Sequence, residues 1–344
     1  MSRILFVTLI AITLFSCKEN SDSQCESDCY TDGIFVLNEG LFQNGNSSVT
    51  YYDPVTMTSE DEIFFTNNIV QIGDVLHSAL RVNDNMYLVV SNSQKIIKVR
   101  SSSFKLLSTI QVPGSPRRML AVSNSKAYVT DLFADIHIID LNSGLVSGSI
   151  AQQGWTEELL MHNNFVYVCK QYFDARRSQL VKIDPTSDMI VDSLELRPGV
   201  GSIVKDANNM FWVLCAGDTA ADDSSALMQI DPTSFSVINT LLVKDKVAFG
   251  GPGELFIDGN GQTLYYLNAD LYHVDINATA TSDVALIEAD GRNFYDFSVD
   301  PSNGDIYVTD AIDFVQSGKV YRYDNNGTLI DELTVGVNPG EIVF

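Results

Sequence analysis

The side chains best suited to bind a small molecule lie next to short apolar runs that recur along the whole chain. They mix aromatic rings, amides and charges of both signs, which suits a flat, polar-rimmed organic ligand held by stacking and hydrogen bonds. The same side chains could instead pair with one another or with channel water. The candidate ligand-binding residues are Asn38, Glu39, Asp74, His77, Asn92, Arg117, Arg118, Asp131, Phe133, Trp155, Glu157, Lys170, Tyr172, Glu254, Tyr295, Asp296, Asp310 and Glu341.

Motifs for catalysis are scarce. The sequence holds four histidines, and two of them, His137 and His273, lie in runs predicted to be strands away from these candidates. It contains no Gly-x-Ser-x-Gly elbow, no His-Glu-x-x-His pair and no glycine-rich phosphate loop. We therefore expect neither catalytic residues nor a cofactor.

Calcium is the alternative to a metal-free binding site. Clustered carboxylates hold hard cations, and Glu254, Asp296 and Glu341 could meet at a central axis and serve a calcium-dependent hydrolase or lyase. The acidic insertion at residues 216–227 could also bind calcium, or it could be a solvated loop. No cysteine spacing predicts a metal site.

The charge of the chain limits the choice of partner. It has 44 aspartates and glutamates against 21 lysines and arginines, a formal net charge of −23. Such a field disfavours nucleic acid and anionic membrane surfaces and is compatible with a neutral or cationic ligand or with calcium. The alternative is that the excess of acidic residues simply keeps an exported protein soluble.

A repeat must position the candidate residues. An aromatic residue opens a short apolar run seven times, with a mean spacing of about 45 residues, which is typical of β-propeller blades. The apolar period is 2 and turn residues interrupt it every few positions, so we predict no helix. The repeated aromatic residues are Phe35, Tyr87, Tyr128, Tyr167, Trp212, Tyr265 and Tyr307.

A second apolar run in each repeat ends in an aspartate, except that Arg100 stands in the second repeat. Aspartate followed by turn residues predicts a hairpin turn, because its side chain bonds the backbone just downstream. We interpret these residues as structural and not catalytic. They are Asp53, Asp140, Asp184, Asp231, Asp275 and Asp324.

The two ends of the repeat predict how the ring closes. The last repeat stops after an inner strand, whereas the first, beginning at Gly33, lacks one. Residues 340–344 should therefore complete the blade begun by residues 34–64, because an unpaired strand would leave an open edge. The predicted fold is all-β: a seven-bladed β-propeller of four-stranded antiparallel blades, closed by the C-terminal strand. Its loops would bring the candidate residues together at one central funnel.

The N-terminal segment has the layout of an export signal. Arg3 precedes an apolar run too short to span a bilayer, and residues 14–17, Leu-Phe-Ser-Cys, resemble the lipobox of bacterial lipoproteins. We predict a signal peptide at residues 1–16, a lipidated Cys17 on a flexible acidic tether at residues 17–32, and the propeller at residues 33–344. The alternative is an ordinary secretory signal with an incidental cysteine.

The other cysteines are predicted from their surroundings. Cys25 and Cys29 could pair in an oxidising compartment, although the loop that they would close is tiny. Cys169 and Cys215 lie in apolar runs and are expected to be buried thiols.

Four phrases, "FVLNEGLFQNGNSSVTYYDP", "IGDVLHSAL", "KAYVTDL" and "GPGELFIDG", resemble the YncE-like propellers found among surface lipoproteins of Gram-negative bacteria. That group includes BtuG-type members, which capture cobalamin and hand it to a TonB-dependent outer-membrane transporter. The resemblance implies a lipid-anchored protein on the outer membrane that captures a small organic nutrient, with a corrinoid as the leading candidate and such a transporter as partner. A ligand-free envelope or adhesion scaffold is a further alternative.

Overall fold

The computed structural model describes residues 29–173, 177–218, 224–243 and 253–344. In these residues, 27 strands form seven antiparallel sheets, six of four strands and one of three. Each sheet is one blade, and we number the blades 1 to 7 in chain order. The predicted seven-bladed β-propeller is confirmed.

The first 15 strands of the chain belong to blades 1 to 4 in sequence order. The last strand of the chain completes blade 1. Blade 1 contains β1 (Ile34–Asn38), β2 (Ser48–Asp53), β3 (Thr58–Glu60) and β27 (Pro339–Val343); blade 2, β4 (Leu76–Val82), β5 (Asn85–Val90), β6 (Lys95–Arg100) and β7 (Leu106–Gln111); blade 3, β8 (Pro116–Ala121), β9 (Lys126–Asp131), β10 (Ile136–Asp140) and β11 (Leu145–Ile150); and blade 4, β12 (Trp155–His162), β13 (Phe165–Gln171), β14 (Ser178–Asp184) and β15 (Met189–Leu196).

The last three blades follow the same order. Blade 5 contains β16 (Val200–Lys205), β17 (Phe211–Cys215), β18 (Ala226–Asp231) and β19 (Ser236–Leu242); blade 6, β20 (Leu255–Ile257), β21 (Thr263–Asn268) and β22 (Asp270–Asp275); and blade 7, β23 (Phe294–Val299), β24 (Ile306–Asp310), β25 (Ser317–Tyr323) and β26 (Leu329–Val337).

The innermost strand of every blade contacts the innermost strand of the next. The contacts run from β4 through β8, β12, β16, β20 and β23 to β27, and β27 returns to β4. Seven inner strands therefore surround one axis, and this axis is the central channel of the propeller.

The C-terminal strand closes the ring as predicted. β27 pairs antiparallel with β1, with Phe35 opposite Val343 and Val36 opposite Ile342. Ile342 is 4% exposed, and its carbonyl accepts a hydrogen bond from Ser298 Oγ of blade 7 at 3.2 Å. The last strand thus joins blade 1 to blade 7 as well as filling the innermost place in blade 1.

The core lies between neighbouring blades. The seven repeated aromatic residues all sit on the second strand of a blade and are at most 6% exposed. Because each of these strands is covered on both faces by adjacent blades, it is apolar at nearly every position. Tyr30 is 3% exposed and packs against Tyr51 and Phe104, so the folded body begins before the boundary predicted at Gly33.

The repeated aspartates close hairpin turns, as expected. In each case the carboxylate accepts a hydrogen bond from the backbone N–H two residues downstream, and at Asp140 and Asp184 the distance is 2.8 Å. These backbone donors lower the pKa of the Asp140 carboxyl, because they stabilise its charged form.

Two elements differ from the prediction. A six-residue helix, α1 (Ile63–Asn68), follows the short strand β3 and buries Ile63 and Phe64, where only strands were predicted. Blade 6 has three strands in its described part, and the place of the fourth is marked by a single bridge between Leu271 and Ile287. In the described part of the chain, no helix is both long and apolar enough to cross a membrane.

The cysteines are in different states. Cys169 and Cys215 are buried thiols that form no disulfide, as predicted. Cys29 is disulfide-bonded, whereas Cys25 and the predicted lipidation residue Cys17 lie outside the described residues.

Candidate functional site

A β-bulge in the inner strands sets which side chains face the channel. The register of six inner-strand pairings shifts near the start of the inner strand, at β4, β8, β12, β16, β23 and β27. A bulge places two residues opposite one on the partner strand, so the usual alternation of side chains is interrupted there. Two consecutive residues of each of these six strands can therefore reach the channel. In blade 6, Gly253 and Glu254 lie just before β20 and occupy the corresponding places.

These pairs of residues form two stacked rings. We call the ring nearer the funnel mouth the first ring and the one below it the second ring. The first ring contains His77, Arg117, Glu157, Gly201, Gly253, Tyr295 and Gly340, and the second contains Ser78, Arg118, Glu158, Ser202, Glu254, Asp296 and Glu341.

The polar residues of the first ring form a chain of contacts. Arg117 Nε donates to Glu157 Oε2 at 3.1 Å, and Arg117 Nη1 lies 3.3 Å from His77 Nδ1. His77 Nδ1 also lies 3.3 Å from Glu39 Oε1, and the Tyr295 hydroxyl donates to Glu39 Oε2 at 2.9 Å. Through Glu39 of blade 1, five blades are thus linked around the mouth of the channel.

His77 is a neutral imidazole in this setting. Burial lowers its pKa well below the ordinary value, and the charges of Arg117 and Arg118 lower it further. If Nδ1 accepts from Arg117, the proton must lie on Nε2. Nε2 is buried and has no hydrogen-bond partner among the described residues.

Arg118 is the hub of the second ring. Its guanidinium pairs with Glu158 at 3.4 Å, Glu254 at 3.0 Å and Glu341 at 3.1 Å, and its side chain is 12% exposed. Arginine suits this place because its planar fork can serve several carboxylates at once. One cation therefore ties together four blades.

The second ring holds more carboxyls than its single cation neutralises. Burial raises the pKa of Glu341 to about 7, and Arg118 opposes that rise. Burial, reinforced by Glu254, raises the pKa of Asp296 well above its ordinary range. Burial also raises the pKa of Glu158. Protons on these groups lower the repulsion that four carboxylates around one arginine would otherwise produce.

A cavity of about 360 Å³ opens above these rings. One wall is polar and aromatic, formed by His77, Arg117, Trp155 and Glu157, with Arg118 and Glu254 at the base. The opposite wall has almost no side chains. It is formed by Gly199, Gly201, Ala216, Gly217 and Gly253, with Gln171 beside it.

The glycines create this space. Among the described residues, a Cβ atom added at Gly253 would meet nothing within 4 Å, and one added at Gly201 would meet only the Gly253 carbonyl at 3.5 Å. The cavity is of the size that binds small organic ligands, near the lower end of the range. Its lining offers hydrogen-bond donors, acceptors and an aromatic surface within one space.

Aromatic residues extend the site outward. The Trp155 ring lies 6.1 Å from the Phe173 ring, and the Tyr295 ring lies 5.8 Å from the Phe314 ring. Phe173 and Phe314 are 59% and 48% exposed and lie on loops of the funnel face. Exposed phenylalanines on such loops provide apolar surface for whatever covers the mouth.

Ten of the predicted residues lie around the channel and its cavity. Arg117 and Arg118 are consecutive in β8, and both face the channel because the bulge lets each reach it. The ten are Glu39, His77, Arg117, Arg118, Trp155, Glu157, Glu254, Tyr295, Asp296 and Glu341.

Five predicted residues hold loops instead. Asp131 is fully buried and accepts hydrogen bonds from the Ser115, Phe133 and Ala134 backbone N–H groups, each at 2.8 Å. Asp310 does the same for Asn293 and Ile312. The other three are engaged by neighbouring groups as well: the Asn38 amide donates to the Ser48 and Thr50 hydroxyls, and Asp74 accepts from the Gln43 N–H and from the Asn92 amide.

The last three predicted residues lie at the rim. The Lys170 ammonium lies 4.5 Å from the centre of the Tyr172 ring, and the Tyr172 hydroxyl donates to Gln179 at 3.0 Å. Phe133 is 68% exposed on the loop after β9.

The three carboxyls proposed to hold calcium do not form a metal site. Glu254 and Glu341 pair with Arg118, whose guanidinium supplies the positive charge among them. Within the described ranges, no group of three or more histidine, cysteine, aspartate or glutamate side chains is placed to hold a metal ion. The insertion at residues 216–227 is described only in part, since residues 219–223 lie outside the described ranges.

Sequence reasoning missed Glu158 and the glycine wall. Glu158 occupies the position in β12 that Arg118 occupies in β8, so aligning the inner strands would have found it. Gly201 in blade 5 and Gly253 in blade 6 lie at the first-ring position, which Arg117 occupies in blade 3 and Glu157 in blade 4. A glycine has no functional group that could mark it as a site residue in the sequence. Its role in forming a cavity can be recognised only once the positions of the surrounding side chains are known.

The fold and the site together define a seven-bladed β-propeller with a ligand-sized cavity at the mouth of its central channel. Residues 32–341 match the family described as Domain of unknown function (DUF5074), and the chain belongs to this family. No curated protein matches the sequence.

Solved structures share the fold at low sequence identity. A quinonprotein alcohol dehydrogenase-like protein from Bacteroides thetaiotaomicron is 14% identical with a TM-score of 0.71, over 92% of this chain and 78% of that one. A Lactobacillus plantarum protein is 13% identical with a TM-score of 0.69, over 91% and 99%. AztD from Citrobacter koseri, in its apo form, is 13% identical with a TM-score of 0.56, over 90% and 97%. These similarities show the fold alone.

Proposed function

We propose that this protein captures a small, polar organic molecule in the cavity at the mouth of its channel. The observation that carries the proposal is the cavity itself, with a wall of Trp155, Arg117 and Glu157 facing a wall of glycines. The indole offers a flat apolar face, the arginine donates hydrogen bonds and the glutamate accepts them. The glycine wall leaves room for the ligand between them.

The charges favour a ligand that is neutral overall. The two arginines that line the cavity are already paired, Arg117 with Glu157 and Arg118 with Glu254. Amide and hydroxyl groups can bond to such pairs without removing a charge from its partner, whereas a charged ligand would have to displace one.

Cobalamin or a related corrinoid is the first specific candidate, and it rests on the resemblance to YncE-like lipoproteins. A corrinoid carries amide side chains around a flat macrocycle. It is larger than this cavity, so an amide-bearing edge would enter while the macrocycle lay across the mouth, against Phe173 and Phe314. Such a ligand would suit the exposed rings of the funnel face.

Calorimetric titration with cobalamin and cobinamide tests this proposal. We expect saturable binding by the wild type and a loss of at least about tenfold in affinity with Trp155→Ala, since aromatic anchors commonly dominate binding. Leu329→Ala, at an exposed residue of the outer strand β26, is the matched control and should bind normally.

Filling the cavity gives a second, independent variant. Gly201→Leu should fold, because the space beside Gly201 is open, and should abolish binding of any ligand that uses the cavity. If both corrinoids give no heat, the corrinoid proposal fails. If other polar organic molecules bind wild type and Gly201→Leu equally, the cavity is not the binding site.

We further propose that Cys17 anchors the propeller to the outer membrane, where it hands its ligand to a TonB-dependent transporter. The lipobox-like residues 14–17 support the anchor, although they lie outside the described residues. Cys17→Ser should move the protein from the membrane fraction to the soluble fraction. Equal membrane association of Cys17→Ser and wild type would contradict the anchor.

A further inference from the structure

The helix α1 presents apolar side chains to solvent as well as to the core. It packs against β2 of blade 1 and buries Ile63 and Phe64. Phe65, by contrast, is 37% exposed, and Ile69 and Val70, which follow the helix, are 65% and 49% exposed. A surface helix normally turns polar residues to water, so a run of exposed apolar side chains at its end indicates a contact surface.

The start of β7 extends this apolar surface into blade 2. The Asn68 side chain joins the two elements: its Oδ1 accepts from the Leu106 N–H and its Nδ2 donates to the Phe104 carbonyl, both at 2.8 Å. Leu106 and Leu107 are 38% and 44% exposed. We call the exposed apolar residues at the end of α1 and the start of β7 the apolar patch; they are Phe65, Ile69, Val70, Leu106 and Leu107.

Ile69 has a backbone conformation that its side chain disfavours. Its φ is +55°, and its N–H donates to the Phe65 carbonyl at 2.7 Å, which closes the helix. Glycine or asparagine usually occupies such a left-handed position, because a β-branched side chain is strained there. The exposed Ile69 side chain contributes little to the core. A strained apolar residue that faces water supports a role in a contact outside the folded body.

The N-terminal segment meets the folded body beside this patch. The N–H groups of Cys29 and Tyr30 both donate to the Ser102 carbonyl, at 2.9 and 3.0 Å. The Tyr30 hydroxyl accepts a hydrogen bond from the Asn67 side chain at 3.0 Å. The segment therefore contacts α1 and the turn that precedes β7, which are the two elements next to the patch. This turn lies on the face of the propeller opposite the funnel.

Blade 2 differs in charge from the chain as a whole. Residues 85–130 contain no aspartate or glutamate, although the chain has 44 of them. Blade 2 with its turns, residues 76–112, holds five lysines and arginines against one aspartate. The Lys105 ammonium donates to the Asn67 carbonyl at 2.8 Å, so a positive charge lies at the patch itself. The acidic residues 60–62 precede α1, and the patch lies mainly beyond its other end.

We propose that the apolar patch rests on the lipid surface of the membrane that carries the anchor; this rests on the lipidated Cys17 proposed above. Residues 17–29 span at most about 40 Å when fully extended, so the anchor keeps the patch near that membrane. Exposed apolar side chains enter the headgroup region, and basic residues beside them attract anionic lipids. Lipid anchors commonly need such a second contact to hold a protein firmly.

This contact leaves the funnel open. The patch lies on the outer side of the ring, and the N-terminal segment leaves from the face opposite the funnel, so the membrane does not cover the mouth of the cavity. A second copy of the chain suits the patch less well, because two molecules with a formal net charge of −23 repel each other.

Fluorescent labels at single positions test the contact. The lipidated full-length protein is incorporated into vesicles of phosphatidylethanolamine and phosphatidylglycerol that contain a nitroxide-labelled lipid. Val70→Cys places the label in the patch, and Ile238→Cys places it on β19 of blade 5, where the native side chain is 53% exposed. We expect quenching at residue 70 to be at least about twofold stronger than at residue 238, because apolar side chains at such a surface sink about 5–10 Å into the interface.

A double variant separates the apolar side chains from mere proximity to the vesicle. Ile69→Gly together with Leu106→Ser removes two side chains of the patch, and glycine suits the left-handed backbone at residue 69. Quenching of the label at residue 70 should fall to the level seen at residue 238. The melting temperature should stay close to that of the wild type, which checks that the variant folds.

Each other outcome overturns the proposal in a recognisable way. Equal quenching at residues 70 and 238, in protein that floats with the vesicles, leaves the anchor standing and removes the contact. Protein that does not float with the vesicles removes the anchor and the contact together. Undiminished quenching in the double variant shows that the apolar side chains are not responsible. A dimer on size-exclusion chromatography that shields residue 70 from the nitroxide assigns the patch to a second copy.

Discussion

At the scale of single residues, the centre of this protein is held by one arginine among several acids. Arg118 pairs with Glu158, Glu254 and Glu341, while Asp296 stands close by. Buried ion pairs are costly to break from one side, since the remaining charge is left without compensation. The balance of charge in the second ring must therefore depend on pH.

Glu341 makes this dependence testable. Its pKa in the folded protein is about 7, raised from an ordinary 4.5, so the folded state holds a proton that the unfolded state releases between these values. The free energy of unfolding should thus fall as the pH rises from about 4.5 to about 7, with up to about 3 kcal/mol of the fall due to Glu341.

Glu341→Gln should flatten this fall, because the amide stays neutral at every pH. Chemical denaturation at several pH values measures it. Glu332→Gln, at an exposed glutamate of β26, is the control and should leave the slope unchanged. A slope in Glu341→Gln equal to that of the wild type would show that Glu341 is not the group responsible.

At the scale of elements, the inner strands combine two devices that regular strands lack. A bulge lets consecutive residues face the channel, so one strand contributes to both rings. Glycines at Gly201 and Gly253 then remove side chains from one wall and leave space for a ligand. Other glycines next to the inner strands have a different role, since the backbone at those places requires them.

Gly154 and Gly253 form a matched pair for testing this distinction. Gly154 has a φ of +107°, and a Cβ there would lie 1.9 Å from the Gln171 carbonyl oxygen, whereas a Cβ at Gly253 would meet no atom of the described residues within 4 Å. Gly154→Ala should cost about 2 kcal/mol or more of stability, and Gly253→Ala should leave stability nearly unchanged. Thermal unfolding of both variants measures the difference, and equal melting temperatures would contradict the steric explanation.

At the scale of the whole molecule, the ring is closed by pairing its two ends. β27 comes last in the chain, yet it is the innermost strand of blade 1 and contacts blades 2 and 7. Its absence would leave β1 with an unpaired edge inside the ring and would remove Ile342 from the core.

Deletion of residues 339–344 should therefore abolish cooperative unfolding or make the protein insoluble. Size-exclusion chromatography and calorimetry of the truncated chain would show this outcome. Ile342→Val is the milder control and should cost about 0.5–1.5 kcal/mol while unfolding stays cooperative. A truncated chain that unfolds as the wild type does would mean that the closure does not support the ring.

The sequence by itself determined the number of blades, the order of strands and the closure. These features depend on periodic signals, namely an aromatic residue that each second strand buries and an aspartate that closes the turn in six of the seven blades, and such signals are local. The same local reasoning placed Glu39, His77 and Arg117 at the funnel, because strand ends on one face of a propeller must converge.

Only the tertiary structure decided which side chains share a space. Alternation along a strand predicts that one of Arg117 and Arg118 faces inward, and the bulge in β8 brings both to the channel. Asp131 and Asp310 follow their strands just as a site residue would, yet backbone N–H groups from neighbouring loops engage them. The glycine wall and the pairing of Arg118 with acids of three other blades join residues far apart along the chain. Local periodicity cannot encode such contacts, because they depend on where the ring brings each blade.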